Sequence, residues 1–256
     1  MENSNQKIAM FIDADNAPAK KIEKILSELA KFGMVSVRKA YGNWKSSTLK
    51  GWEENLHEHA IQPIQQFDLI KGKNATDMAM TIDAMDILYT KDIDVFCIVS
   101  SDCDFTPLVT RILSEGKLVY GFGERKTPDP FVNACTKFLY VDEALTDEGK
   151  NDTQKSTQTK KTSAKELKGN TKLMRLLRNA IDTDPDDDGW ASVANVGSII
   201  SNQASIDARN YGYKKLSDLI KVIDLFETKT LANGQMIVRD KRGANQPNKK
   251  ADSAES

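Results

Sequence analysis

The 256-residue sequence carries 39% hydrophobic and 29% charged residues, the balance of a chain that buries a core, and it is long enough for one mid-sized domain and a smaller one. No apolar run approaches the roughly 18 residues of a membrane span, and residues 1–7 are polar rather than signal-like, so a cytoplasmic protein is expected. Cys97, Cys103 and Cys135 are odd in number and widely spaced, which argues against a disulfide framework or a paired-cysteine zinc site. They read as reduced thiols in or near the core, and His57 and His59 as solvated side chains. The net charge of -1 hides a split. Residues 1–146 hold 17 Lys+Arg against 21 Asp+Glu, or -4, and residues 147–256 hold 19 against 16, or +3.

Short apolar runs alternate with helical periodicity through the first half, the signature of a doubly wound α/β sheet. Residues 8–12 read as a buried first strand. A helix over 17–32 follows, with Ile22, Ile25, Leu26 and Leu29 on one face and Gly33 placed to end it. Residues 35–41 form a strand, 49–59 a weaker helix and 61–64 a short strand. Over 75–90 a helix carries Met78, Ile82, Met85 and Tyr89 on one stripe. Residues 94–99 are the most apolar strand, 107–114 are helical, 118–122 a strand, 130–136 a short helix and 138–141 a last strand.

Hydrophobicity disappears near residue 146, and 147–165 reads as a flexible basic linker. The stretch 155–178 contains eight basic residues and one acid, Glu166, and is suited to tracking a phosphate backbone. Apolar stripes recur over 171–181, 193–200 and 213–223, and residues 226–238 alternate around an Asn233-Gly234 turn. Helices followed by a hairpin predict a small winged helix over 166–240. Residues 241–256 lack large apolar side chains and read as a disordered tail.

In a doubly wound sheet the carboxyl ends of the strands face the ligand. Ile12 is followed by Asp13, Asp15 and Asn16, and Val99 by Asp102 and Asp104. Asp77 lies at the start of the helix between them. If the two strands are neighbours these acids converge, and two carboxylates about 4 Å apart repel by roughly 4 kcal/mol at an effective dielectric near 20. Oxygen-only donors of this kind suit Mg²⁺ or Mn²⁺ rather than zinc, and a phosphodiester substrate would complete the coordination. Helix capping accounts for Asp15 and Asp104 taken singly, and a solvated helix face for Asp83 and Asp86. Asp13 and Asp102 are harder to explain away, since each follows a nearly all-apolar strand. Lys73 reads either as a phosphate contact or as an ordinary surface lysine.

The segments Phe11-Ile-Asp13-Ala-Asp15-Asn16, Lys73-Asn-Ala-Thr-Asp77 with Asp83, and Val99-Ser-Ser-Asp102-Cys-Asp104-Phe-Thr-Pro107 resemble the three motifs of the LabA-like NYN domain in the PIN-like nuclease superfamily. The resemblance implies a Rossmann-like PIN-type fold over 1–146 and a ribonuclease site in which Asp13, Asp77 and Asp102 are catalytic and hold the metal, supported by Asn16, Asp104 and Lys73. Ser101 departs from the glycine of many members. Arg209-Asn-Tyr211-Gly212-Tyr213-Lys-Lys-Leu216 resembles the core of an OST-HTH/LOTUS domain, a winged helix that binds RNA or a protein partner. Lys165, Lys168, Lys172, Arg175, Arg209, Lys214 and Lys215 are then the expected nucleic-acid contacts, with Tyr211, Tyr213 and Leu216 in the core.

The expected function is a divalent-metal endoribonuclease acting on single-stranded RNA captured by the C-terminal domain. The alternative is a non-catalytic RNA-binding or adaptor protein. DNA as substrate, a protein partner and self-association are left open by the sequence.

Overall fold

The computed structural model describes residues 6–67, 74–142, 161–203 and 205–242. They fall into two compact units, one within residues 6–142 and the other within 161–242.

In the first unit, β1 (Gln6–Asp13), β2 (Gly33–Gly42), β3 (Gln62–Gln65), β4 (Val95–Val99), β5 (Leu118–Gly123) and β6 (Lys137–Tyr140) form a six-stranded sheet in the order β3-β2-β1-β4-β5-β6. Every adjacent pair is parallel. Both faces of such a sheet are covered, which is why β1 and β4 are continuous apolar runs rather than alternating ones. Ile8, Met10 and Ile12 of β1 join Val95, Cys97 and Val99 of β4 in one core with α1 (Ile22–Leu29). Ala9 and Phe11, with Phe96 and Ile98, point the other way onto α3 (Ala75–Thr90), α4 (Thr106–Ser114) and α5 (Asp129–Ala134). In that second core the Phe11 ring stacks on Phe96 and Tyr41 at centroid distances of 6.0 and 6.4 Å.

Several elements differ from their sequence-based expectation for identifiable reasons. The helix expected over 17–32 begins as a 3-10 turn, Ala19–Lys21, and its α part ends at Leu29. Gly33 opens β2 instead of capping that helix. A Cβ there would stand 2.1 Å from the Gln6 carbonyl oxygen, so the close approach of β1 and β2 is what requires glycine. The helix expected over 49–59 is a 3-10 segment, Ser47–Trp52, running into the short α2 (Glu53–Glu58).

The bounds of α3 agree with expectation, but its orientation does not follow the Met78-Ile82-Met85-Tyr89 stripe. Met78, Ile82 and Tyr89 are 61%, 56% and 56% exposed, while Thr76, Met80, Ala84, Ile87 and Leu88 are buried. This helix is apolar on two faces, so periodicity alone does not choose between them. Polar anchors choose instead: Asp83 accepts two hydrogen bonds from Lys39 Nζ, at 2.9 and 2.7 Å, and one from the Tyr41 hydroxyl. Those contacts rotate Met80 and Ala84 onto the sheet.

In the second unit, α6 (Ala164–Gly169), α7 (Thr171–Thr183), α8 (Val193–Gln203) and α9 (Leu216–Val222) pack with an antiparallel sheet of β7 (Ala191–Ser192), β9 (Met236–Asp240) and β8 (Phe226–Thr230), in that spatial order. This is a winged-helix arrangement. Leu173, Leu177, Val196, Ile200, Leu219, Ile223 and Val238 form its core. Three glycines hold left-handed backbone at its turns, Gly189 at φ 79° ahead of β7, Gly212 at φ 80° before α9 and Gly234 at φ 82° in the β8–β9 hairpin. Residues 147–160 of the expected linker and 243–256 of the expected tail lie outside the described residues. Residues 161–165 stand within this unit, because Ser163 and Glu166 cap α6 reciprocally and the Thr162 amide donates to the Tyr211 carbonyl at 3.1 Å. No helix among the described residues is long and apolar enough to cross a membrane.

The facing of α3 sets a direct comparison. Met80→Ala should cost about 2–5 kcal/mol by loss of core volume, whereas Ile82→Ser should stay within about 0.5 kcal/mol, as read from urea unfolding midpoints. Equal losses would mean that the Ile82 face is buried.

Candidate active site

The chain winds from β1 outward through β2 and β3, then from β4 outward the other way, so a crevice opens where the carboxyl ends of β1 and β4 diverge. Asp13 is the last residue of β1 and is completely buried. Ile12 pairs in register with Val99, which brings Ser100, the first residue after β4, beside Asp13. Ser100 is itself 1% exposed. Its hydroxyl donates to Asp13 Oδ2 at 2.7 Å and accepts from the Asp102 amide at 3.0 Å, joining the two motifs through one side chain. Asn16 Nδ2 donates to the same Asp13 oxygen at 3.0 Å. Asp13 Oδ1 is buried and has no hydrogen-bond partner. Burial pushes the Asp13 carboxyl above its ordinary range, the Ser100 and Asn16 hydrogen bonds oppose that, and the charge of Asp102 adds to the rise.

The other acids gather around this buried one. Asp102 caps the 3-10 turn Cys103–Phe105, its Oδ1 accepting from the Asp104 amide at 2.9 Å. The capping role expected of Asp104 therefore belongs to Asp102, while Asp104 Oδ2 accepts from Asn74 Nδ2 at 3.0 Å. Asp15 does not cap the following helix, whose N-cap residue is Pro18; its Oδ2 accepts from Thr76 Oγ1 at 3.3 Å. Asn74 and Thr76 thus fasten the start of α3 to both acidic loops and deliver Asp77 in the first turn. Burial pushes the Asp77 carboxyl up to about 6, with further contributions from the charges of Asp13, Asp102, Asp104 and Asp15. Five carboxylates therefore share one electrostatic environment.

Ser101, which replaces the glycine of the resembled motif, accepts from the Glu124 amide at 2.9 Å and so braces the loop after β5. Gly123 lets that loop close on the site, since a Cβ there would lie 2.7 Å from both the Ser100 carbonyl oxygen and Thr127 Oγ1. Asp83 is held by Lys39 and Tyr41 and stays out of the acidic group, and Asp86 is exposed. Lys73 lies outside the described residues. Cys103 departs from the expectation of a core thiol: it is exposed, and its sulfur and one oxygen each of Asp102 and Asp104 lie within 4.8 Å of one another. Cys97 and Cys135 are buried as expected.

The arrangement fits a hard cation. The donors are carboxylate oxygens, one of them a buried atom without a partner, and a divalent ion would relieve the like-charge part of the rise in Asp77, which burial leads. Among the described residues, the side chains whose candidate ligand atoms all lie within 4.8 Å of one another are Asp102, Cys103 and Asp104; Asp13 and Asp77 stand outside that group. Ser100 is the residue that sequence reasoning passed over. The available signal was its place directly after the most apolar strand, at the same edge as Asp13.

In the second unit, Lys165, Lys172, Arg175, Lys214 and Lys215 are exposed. Lys168 pairs with Asp224 at 3.0 Å, and Arg209 is held by Asp207 through Nη2 at 2.6 Å and Nε at 2.9 Å. Lys172 and Arg175 lie on the face of α7 opposite its buried leucines. Tyr213 is buried and donates its hydroxyl to the Thr162 carbonyl at 2.8 Å, which gives it a core role.

A parallel α/β sheet with acids converging at its switch point, followed by a winged helix, defines a protein of the PIN-like nuclease class joined to a nucleic-acid-binding type of module. The NYN domain model matches residues 7–142, more than half of the chain, and the OST-HTH/LOTUS domain model matches residues 168–238; the chain belongs to the NYN domain family and carries an OST-HTH/LOTUS domain behind it. An uncharacterised protein of Methanocaldococcus jannaschii is 28% identical over 121 residues, 46% of this chain and 47% of its own length, so the chain spans about half of that relative. A protein of unknown function from Vibrio parahaemolyticus, known from a crystal structure, is 22% identical; the match covers 56% of this chain and 97% of that one, with a TM-score of 0.47.

The clustered charges carry a stability consequence. The Asp77 pKa is raised from 3.8 to about 6 in the folded protein, so the native state holds the proton more tightly than the unfolded chain. Its contribution is favourable at low pH and is lost as pH rises from about 4 through about 6. In the presence of a chelator at pH 7, Asp77→Asn should therefore stabilise the protein by about 1 kcal/mol after allowance for solvent screening. The gain should vanish below about pH 4 in urea titrations.

Proposed function

We propose that the protein is a divalent-metal-dependent endoribonuclease that cleaves single-stranded RNA at the acidic site of its NYN domain, with the OST-HTH/LOTUS domain capturing the RNA. The observation that carries this reading is the Asp13 carboxylate: fully buried, fixed through one oxygen by Ser100 and Asn16, and left with the other oxygen unpartnered among further acids.

Asp13, Asp77 and Asp102 would hold Mg²⁺ or Mn²⁺. Such an ion, when bound, makes a water nucleophilic near neutral pH and offsets charge on a phosphate oxygen. The protein's own part is positional. Ser100 and Asn16 occupy Asp13 Oδ2 with neutral donors, which keeps Asp13 oriented and reserves Oδ1 as a ligand. Ser100 also fixes the Asp102 amide, so the backbone of one ligand is set by the residue that orients another. Asn74 holds Asp104 at the rim. Lys165, Lys172, Arg175, Lys214 and Lys215 offer cations for phosphate contacts in the second unit, and Lys168 and Arg209 offer theirs at the expense of ion pairs with Asp224 and Asp207.

Cleavage of labelled single-stranded RNA in Mn²⁺ or Mg²⁺ tests the proposal. Asp13→Asn and Asp102→Asn should each reduce the rate by at least about a hundredfold, and Ser100→Ala by about 10–100-fold, as for a residue that orients a metal ligand. Both cations should raise the melting temperature of the wild type but not of Asp13→Asn. Activity that survives both aspartate substitutions would refute the assignment. RNA binding without any metal-dependent cleavage or stabilisation would favour the adaptor reading instead, and competition between RNA and DNA strands fixes the sugar preference.

A further inference from the structure

An acidic site that acts on a polyanion requires cations close by to hold the strand, and the described residues place cations at both ends of the same sheet edge. Lys45 follows β2 by three residues, and its Nζ lies over the Phe67 ring at 5.0 Å from the centroid. Phe67 follows β3 and is 53% exposed. Such an aromatic ring with no polar atom gains little from water, and its exposure at the ligand-facing edge is what a stacking platform requires. The two loops are locked together beneath this pair. Trp44 Nε1 donates to the Ile64 carbonyl at 3.0 Å, and Gln65 Nε2 donates to Asn43 Oδ1 at 3.0 Å. At the far side of the sheet, Arg125 follows β5 and lies 4.8 Å from the ring centroid of Tyr140, the last residue of β6. The Arg125 amide donates to Asp142 at 3.0 Å, which fixes that loop as well.

We infer that the carboxyl edge of the NYN sheet is a path for single-stranded nucleic acid, bracketed by the cation–aromatic pairs Lys45–Phe67 and Arg125–Tyr140 on either side of the acidic site. This rests on the reading of that site as one that cleaves nucleic acid, and it adds which residues seat the strand. Between β3 and β6 lie five strand spacings, about 24 Å, enough for a few nucleotides. In each pair a ring is set beside a cation, matching the base and phosphate of one nucleotide. Stacking on Phe67 requires a base face that is not covered by its neighbours, so the path selects unpaired strands over duplex. It reads no sequence, since every base has a face to stack. The acids then lie at the middle of the path, where the backbone crosses from one bracket to the other.

The test uses the full-length protein with fluorescein-labelled single-stranded RNA, single-stranded DNA and duplexes of equal length. Binding is read by anisotropy in a chelator, contacts by ultraviolet crosslinking and mass spectrometry, and cleavage by KM and kcat in Mn²⁺. Crosslinks to the Phe67 and Tyr140 peptides are expected with single strands. Phe67→Ala should raise KM about tenfold with little change in kcat, and Phe67→Trp should restore it. Lys45→Ala should lower the slope of log affinity against log salt by about 0.7. Wild-type cleavage with no Phe67 crosslink and an unchanged KM in Phe67→Ala would overturn the path while leaving the nuclease reading intact. Duplexes crosslinking at Phe67 as well as single strands do would also overturn it. Crosslinking of single strands at Phe67 with no cleavage under any metal would support the path and remove the nuclease reading.

Discussion

A carboxylate with no exposed surface, Asp13, sits at the end of the central strand, and much of the first unit can be understood from what it takes to keep it there. Removing a charge from water costs several kcal/mol unless partners replace the lost hydration. Two neutral donors, Ser100 and Asn16, supply the hydrogen bonds, and four more acids stand around them. The apolar layers on either side of the sheet, one of which holds the stacked rings of Tyr41, Phe11 and Phe96, supply the stability against which that cost is set. A carboxyl raised by burial and like charge together, in a crevice at a sheet's switch point, marks a candidate functional site rather than a solvated acidic patch.

Much of this was legible in the sequence because strand periodicity and chain order carry it. Residues 8–12 and 94–99 are apolar throughout, which marks them as central parallel strands, and their neighbourhood follows from the order of a doubly wound sheet. From there the placing of Asp13 and Asp102 is a matter of counting past strand ends, and Asp77 joins them from the start of the helix that leads into β4. What was not legible depended on side-chain contacts between distant segments. The facing of α3 was set by Lys39 and Tyr41 gripping Asp83 across 44 and 42 residues of sequence. Asp15 does not take its expected capping role and instead accepts from Thr76, 61 residues away, while the cap expected of Asp104 is made by Asp102. Ser100 looked like an ordinary loop serine until the β1–β4 register placed it against Asp13.

The second unit is built on a different balance. Its core is a small set of leucines, isoleucines and valines tied by a capping box and three left-handed glycines, and several of its expected phosphate contacts are engaged within the unit. Arg209 gives its guanidinium to Asp207, and Lys168 its ammonium to Asp224. A polyanion that recruited either cation would have to compete with a local carboxylate. Lys172 and Arg175 face outward on α7 at a spacing of three residues, so they present two cations on one helical face.

On the proposed reading, the same charges that make the NYN site a ligand for a divalent ion make it repel RNA. With -4 over residues 1–146 and five acids converging at one edge, a phosphate backbone approaching the empty site meets its own sign of charge. The ion cancels part of that field at the point where the scissile phosphate must sit, and the phosphate in turn supplies oxygens that complete the ion's coordination. Each ligand lowers the cost of the other, and linkage requires the effect to be reciprocal: RNA tightens the metal by the factor by which the metal tightens RNA. Cations outside the acidic cluster escape this coupling. Lys45 and Arg125 at the sheet's flanks and the basic face of α7 can hold a strand whether or not the ion is present. Capture and cleavage then respond to different conditions, the first to salt and the second to metal.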